Sequence, residues 1–375
     1  MLRCASVHQG FRAALETFDR RAPILHAPFE ISPPPLDWRS LNVLVTGGTG
    51  SFGLAFAELL HSGYGPRQLT IYSRDELKQD QLRKVLASND TTLVKFVIGD
   101  VRDRDQLRRA MRGVDVAINA AALKQVPTSE FHPLEVIKTN VLGASNVIDA
   151  ALDCGVRRVV EISTDKAVAP INLYGATKLC AEKLFVAAQG NVDPRETAFS
   201  VVRYGNVSGS RGSVVPLFRE RRVTGVLPIT DPRMTRFWFT LRQSVRFIAD
   251  CVQLMRGGEI FIPKLPSMRI VDLARAIAPE CRHEIVGIRA GEKLHESLLT
   301  EDEARQTRLF EGYFVVYPAD RIANAIVQGS TAGKPLPDGF RFGSETNDSW
   351  LSVDQLREMV EMDESQDDSV RPTVA

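Results

Sequence analysis

The 375-residue chain is 44% hydrophobic and 25% charged, an ordinary composition for a soluble globular protein and long enough for two domains or one large α/β domain with an attached lobe. Its 47 Lys+Arg against 46 Asp+Glu leave a net charge of +1, which excludes a nucleic-acid binder working through a general basic field. Five cysteines without a C-x-x-C pair and six histidines without an H-E-x-x-H argue against a disulfide framework, structural zinc or a zincin site, so no metal is expected.

No apolar run approaches the roughly 18 residues of a membrane helix, and the N-terminus lacks the apolar core of a signal peptide. The chain therefore reads as cytoplasmic, with no membrane and no nucleic-acid partner. Residues 1–40 read as an extension. Val7, Phe11, Leu15 and Phe18 recur at helical spacing, and Pro33-Pro34-Pro35 makes a stiff linker.

From Leu41 apolar runs alternate with helical patterns. Strands are predicted at Asn42–Thr46, Gln68–Tyr72, Val94–Ile98, Val114–Asn119, Arg158–Ile162 and Ala198–Tyr204. Helices fall between them, including one long helix before Arg158 and one starting near Asn172. Continuous Val/Ile runs alternating with helices predict an α/β doubly wound parallel sheet of Rossmann type, with its ligand at the strand C-termini. The pattern breaks after about Val207. Residues 41–207 are assigned to dinucleotide binding. Residues 208–362 are assigned to a smaller substrate lobe interleaved with late sheet elements, and 363–375 to a disordered acidic tail.

Thr46-Gly47-Gly48-Thr49-Gly50-Ser51-Phe52-Gly53 joins the first strand to the first helix. Gly47 permits the tight turn, Gly50 lets backbone approach a pyrophosphate, and Gly53 lets the helix pack on the sheet. The helix N-terminus, with Ser51 and Phe52, offers N–H groups to phosphate oxygens. The second strand ends in Ser73-Arg74-Asp75, with Lys78 one turn on. Arg74 and Lys78 suit a 2′-phosphate and point to NADP. In the alternative Asp75 binds the ribose, but Asp75 is better placed to cap the helix that starts there. Asp100 and Val101 end the third strand, where an Asp can reach an adenine amino group. Ala120 and Ala121 follow the fourth and leave room for a cofactor.

Ser163-Thr164-Asp165-Lys166 closes the fifth strand, and Tyr174 and Lys178 follow at i, i+4 on one helix face. A lysine beside a tyrosine favours the phenolate and makes the tyrosine a usable base. Lys166 can act as a base only when neutral, and burial with Lys178 nearby is expected to depress its pKa. Asp165 can act as an acid only when protonated.

With these motifs the chain resembles the extended short-chain dehydrogenase/reductase superfamily, and within it the UDP-N-acetylglucosamine 4,6-dehydratase (C5-inverting) family. The resemblance runs from about Leu41 to Leu356. It is carried by Ser73–Gln79, Ala121–Pro127, Thr139–Gly143, Ser163–Ala167, Arg203–Pro216, Ile260–Ile270 and Gly291–Glu296. It implies an NADP-dependent lyase at the start of pseudaminic acid or related sugar biosynthesis, and a homo-oligomer. It also implies that Tyr174, with Lys178 and Thr164, removes the sugar 4-OH proton as NADP⁺ takes the C4 hydride. Lys166 then removes the C5 proton, and Asp165 protonates the leaving O6. Asn206, Arg211, Arg269 and Glu292 fall in segments that line the sugar-nucleotide pocket, and Lys124 lies near the cofactor and the site mouth.

Three departures from the family pattern stand out: the long extension, Thr128–His132 on the sugar side, and Ala290 in place of a proline. A 4-epimerase would need Tyr174 and Lys178 but no Asp165–Lys166 pair. A C5-retaining dehydratase of the related group is expected to carry methionine at position 174. A non-catalytic NADP-binding scaffold has no use for the four together.

Overall fold

The computed structural model describes residues 36–86, 92–209, 213–319 and 333–370. Six parallel strands form its centre: β1 (Asn42–Thr46), β2 (Gln68–Ser73), β3 (Leu93–Ile98), β4 (Val116–Asn119), β5 (Arg158–Thr164) and β6 (Ala198–Tyr204). They pair in the order 3-2-1-4-5-6, the doubly wound arrangement expected from the sequence. β4 and β6 are buried at every position, as continuous Val/Ile/Phe runs require when helices cover both faces. β3 is only partly covered because it forms the sheet edge. The chain reverses between β1 and β4, so the crevice opens beyond their C-terminal ends.

Beyond β6 the chain has two duties. Ile260–Pro263 adds to the sheet parallel to β6, and Tyr313–Val316, Thr307–Phe310 and Lys334–Pro335 extend it antiparallel to ten strands. The intervening segments build a second core around Phe218, Leu227, Trp238, Leu273 and Leu356. No helix among the described residues is long and apolar enough to cross a membrane.

Two expectations differ from the structure. Residues 36–40, assigned to the N-terminal extension, pack on the core: Trp38 is buried and its ring lies 5.1 Å from that of Tyr64. Residues 1–35, with the expected N-terminal helix, lie outside the described residues. The long helix expected before β5 runs from Pro133 to Cys154 with a π turn over Lys138–Leu142, and a separate short helix, Val126–Phe131, precedes it. Pro127 and Pro133 lack the N–H that would continue a helix and instead sit in first turns. The tail expected to be disordered from residue 363 continues the Val353–Val370 helix. Leu356 and Val360 bury its first turns, and extending an anchored helix avoids the cost of nucleation. Residues 371–375 lie outside the described residues.

Arg203 on β6 ties the layers together. Its fully buried guanidinium donates to Glu182 on the Leu173–Gln189 helix (2.6 and 2.9 Å), to Glu303 (2.8 and 3.1 Å) and to the Leu298 carbonyl (3.0 Å). Ser163 on β5 also donates to Glu182. Removing one partner from such a cluster strands a buried charge. Arg203→Met is therefore expected to lower stability by about 3–5 kcal/mol in urea unfolding. A loss below about 1 kcal/mol would show that the cluster does not hold the layers together.

Candidate active site

The glycine loop is shaped by contacts that leave no room for a Cβ. Gly47 has φ +63°, and a Cβ there would lie 2.9 Å from backbone atoms of Ala120 and Ala121. One on Gly53 would lie 2.4 Å from Gly48 Cα. Gly50 is different: it is exposed, and a Cβ there would meet only the Gly47 carbonyl oxygen, at 3.2 Å. It is also the N-cap of the Ser51–Leu59 helix and has no side chain to take the first-turn N–H groups. The loop thus presents bare backbone and a helix N-terminus outward, which fits the phosphates of a dinucleotide. Phe52 lies on the inner side, stacked on Phe56 at 5.5 Å.

At the end of β2, Ser73 is buried and its Oγ accepts from Gln79 Nε2 at 3.0 Å. Arg74 is exposed, with Nη1 3.5 Å from Asp100 Oδ2. Asp75 caps its helix by accepting from the Lys78 N–H at 3.0 Å, and it pairs with the Lys78 ammonium. The Asp100 carboxylate is held by Arg102, through Nε at 2.9 Å, Nη2 at 2.6 Å and the backbone N–H at 2.9 Å. Burial pushes its pKa up, but Arg102 and then Arg74 bring it below the usual carboxylate value. Val101 is buried against Gly143. Lys124 is exposed, on a stretch pinned where Asn140 bonds both the N–H and the carbonyl of Leu123.

A buried relay joins this loop to the chemistry at β5. Thr46 donates to Asn119 Oδ1 at 2.6 Å, Asn119 donates to Glu161, and Glu161 pairs with Lys178. Glu161 was not singled out in the sequence. The signal was a lone acid inside the apolar run Arg158–Ile162. Lys178 holds its proton tightly: burial opposes this, but Glu161 and Tyr174 outweigh it.

Thr164, Asp165, Lys166 and Tyr174 come together at the C-terminal end of β5. Thr164 Oγ1 donates to Asp165 Oδ1 at 3.0 Å, as does Lys166 Nζ at 3.0 Å, and the Thr164 hydroxyl lies near enough to the Tyr174 phenol to favour its phenolate. Asp165 is fully buried, and its Oδ2 has no partner.

Two expected pKa shifts run the other way. Tyr174 is raised above 10, because burial outweighs Lys178, Lys166 and the Thr164 hydrogen bond. Lys166 is also raised: burial presses it down, but the carboxylates of Asp165 and Glu296 overcome that. The cation that lowers it is Arg236 rather than Lys178.

The residues expected on the substrate side are less tightly organised. Asn206 follows β6, and its buried Oδ1 lacks a partner. Arg269 is exposed, with its guanidinium 5.4 Å from the Trp350 ring centroid. Glu292 pairs with Arg289 at 2.8 Å. Arg211 lies outside the described residues. The residue of Gly291–Glu296 that reaches the Asp165–Lys166 pair is Glu296, which was not singled out in the sequence. His295 Nδ1 bonds Thr235 at 2.8 Å.

A family model described as polysaccharide biosynthesis protein matches residues 43–318. The UDP-N-acetylglucosamine 4,6-dehydratase (inverting) of Campylobacter jejuni is 48% identical over 326 residues, covering 85% of this chain and 97% of that protein. The UDP-glucose 4-epimerase of Rickettsia conorii is 42% identical over 331 residues, covering 85% and 95%. Among solved structures, Pen from Bacillus thuringiensis matches with a TM-score of 0.78 at 31% identity, covering 88% of this chain and 99% of that one. The dTDP-glucose 4,6-dehydratase DesIV of Streptomyces venezuelae, solved with NAD and TYD bound, matches with a TM-score of 0.60 at 26% identity, covering 68% and 87%.

Proposed function

We propose, from the premise that the chain belongs to the polysaccharide biosynthesis family of extended short-chain dehydrogenase/reductases, that it is a UDP-N-acetylglucosamine 4,6-dehydratase that inverts C5. The observation that carries this reading is the Asp165–Lys166 pair beside Tyr174. A 4-epimerase, the activity named for the Rickettsia relative, needs the tyrosine but no second acid–base pair to expel water.

Tyr174, beside Thr164 and within the field of Lys178, takes the proton from the sugar 4-OH. When bound, the dinucleotide would supply a hydride acceptor, later a hydride donor, and a positive charge that joins the lysines in favouring the Tyr174 phenolate. Oxidation at C4 acidifies the C5 proton. Lys166 and Asp165 share one hydrogen bond at 3.0 Å, so passing the proton from Nζ to Oδ1 gives a neutral amine and a neutral acid with no change in net charge. Both groups are then in the forms that elimination needs: Lys166 removes the C5 proton, and Asp165 gives its proton to O6, which leaves as water. Asn206, Arg269, Glu292, Arg211 and Lys124 are proposed to hold the UDP-sugar.

NADP is the proposed cofactor, on the support of Arg74 and Lys78 at the end of β2. Each has a carboxylate neighbour, Asp100 and Asp75, but such exposed ion pairs are weak and a 2′-phosphate can compete for them. Residues 41–207 are assigned to the cofactor and 208–362 to the substrate. A homo-oligomer is proposed from family membership. A cytoplasmic setting agrees with the free thiols of Cys154, Cys180, Cys251 and Cys281.

Arg74→Ala should weaken NADP binding by about 1.5–3 kcal/mol and leave NAD nearly unaffected in fluorescence titrations. Equal losses for both would remove Arg74 as the reader of the 2′-phosphate. In stopped-flow mixing with UDP-N-acetylglucosamine, Tyr174→Phe should abolish the absorbance of reduced nicotinamide. Lys166→Ala should keep that absorbance but form no 6-deoxy product. Normal turnover by Lys166→Ala would take the base role away from Lys166.

A further inference from the structure

The Lys166 ammonium lies between two carboxylates. Asp165 Oδ1 is at 3.0 Å and Glu296 Oε1 at 3.7 Å. The Glu296 side chain is 3% exposed, yet its Oε2 accepts no hydrogen bond and lies 3.5 Å from the Lys293 ammonium. A buried carboxylate without donors is costly, so the surrounding structure must hold it in place.

The backbone does so from both sides. The Glu296 N–H donates to Ser344 Oγ at 3.0 Å, and the Ser344 N–H donates to the Glu296 carbonyl at 2.8 Å. Arg236 donates to the carbonyls of Lys293 and Leu294 at 2.9 and 3.1 Å. Lys293 Nζ donates to the carbonyl of Val168, two residues beyond Lys166, at 2.6 Å. The segment from Lys293 to Glu296 is thus pinned against the Asp165–Lys166 turn.

We propose that Glu296 is a positioning residue that acts with Asp165 to hold the Lys166 ammonium and secures the single proton that the Asp165–Lys166 pair shares. This deepens the dehydratase reading and takes its catalytic meaning from it. During elimination the C5–H bond breaks and its proton goes to Lys166 Nζ. The C5–C6 double bond forms, the C6–O6 bond breaks, and the Asp165 proton leaves with O6 as water. The pair ends as an ion pair with its net charge unchanged. Asp165 has a proton to give only if the pair retains one beforehand, and the negative charge of Glu296 disfavours losing it.

The charged and titratable groups facing Lys166 are Asp165 on its own turn, Glu296 on the 291–296 segment, Arg236 on the Thr235–Phe239 strand and Tyr174 on the following helix. Lys293 acts on Glu296. Of the facing carboxylates, Glu296 alone has no catalytic step, so its charge can be removed while Asp165 stays. Without that charge Lys166 releases its proton more easily. Below its midpoint the neutral fraction then rises about tenfold for each unit the midpoint falls.

The test is pulse reductive methylation with formaldehyde and borohydride between pH 7 and 10. Lys166 incorporation is read by mass spectrometry against the exposed Lys84. Glu296→Gln should label Lys166 at least tenfold faster than the wild type. Glu296→Asp, which keeps a charge on a shorter arm, should label at an intermediate rate. Equal labelling of wild type and Gln variant would overturn the proposal. If the Gln variant does not fold, labelling of the Asp variant equal to the wild type would do the same.

With UDP-N-acetylglucosamine, Glu296→Gln should keep the reduced-nicotinamide absorbance of C4 oxidation, while the alkaline limb of product formation begins at lower pH. Loss of that absorbance together with product would mark a merely structural role and overturn the proposal. A wild type inert toward this substrate would overturn the dehydratase reading alone, and the labelling result would still decide the role of Glu296.

Discussion

The site depends on the buried ion pair between Glu161 and Lys178, whose side chains are 1% and 4% exposed. Two charges withdrawn from water are tolerated only when each satisfies the other, so the pair fixes the register of the Leu173–Gln189 helix against β5. Tyr174 lies one turn before Lys178, and that register brings its phenol to Thr164 at the strand end. Asn119 and Thr46 extend the constraint across β4 and β1. The Ala121 N–H donates to the same Thr46 hydroxyl at 3.2 Å, so the glycine loop and the tyrosine are located by one network.

Two lysine–carboxylate groups stand side by side and differ in completeness. Around Lys178 the acid is fully partnered: Glu161 receives both the ammonium and the Asn119 amide. Around Lys166, Asp165 Oδ2 and Glu296 Oε2 are buried and accept no hydrogen bond. The closed group suits a fixed scaffold. The open group retains unused acceptor capacity, which suits proton traffic. Burial raises the Glu296 pKa, and the Lys166 ammonium opposes that by favouring the charged carboxylate.

Most of the fold was legible because the parallel strands are continuous apolar runs, and Thr46–Gly53 lies between one such run and a helix. Thr164, Asp165, Lys166, Tyr174 and Lys178 were legible because they fall within fifteen residues on one strand end and the helix that follows. Asp75 was legible as a cap for the same local reason. Glu296 was not, because it meets Lys166 only after the chain has traversed a second lobe. Nor were the signs of the Tyr174 and Lys166 shifts, which depend on how deeply each is buried and on which acid takes which lysine. The tail composition suggested disorder, while its helix is anchored by Leu356 and Val360 upstream.

The most direct measurement follows the hydrogens through one turnover. UDP-N-acetylglucosamine deuterated at C4 is converted in water, and unlabelled substrate in D₂O, with NMR on the first product formed. If one closed site oxidises C4, expels O6 and returns the same hydride, the C4 label appears at C6. Solvent deuterium enters C5, and the 4-keto sugar has the L-arabino configuration. A C4 epimer that keeps its 6-hydroxyl would contradict the role given to Asp165 and Lys166.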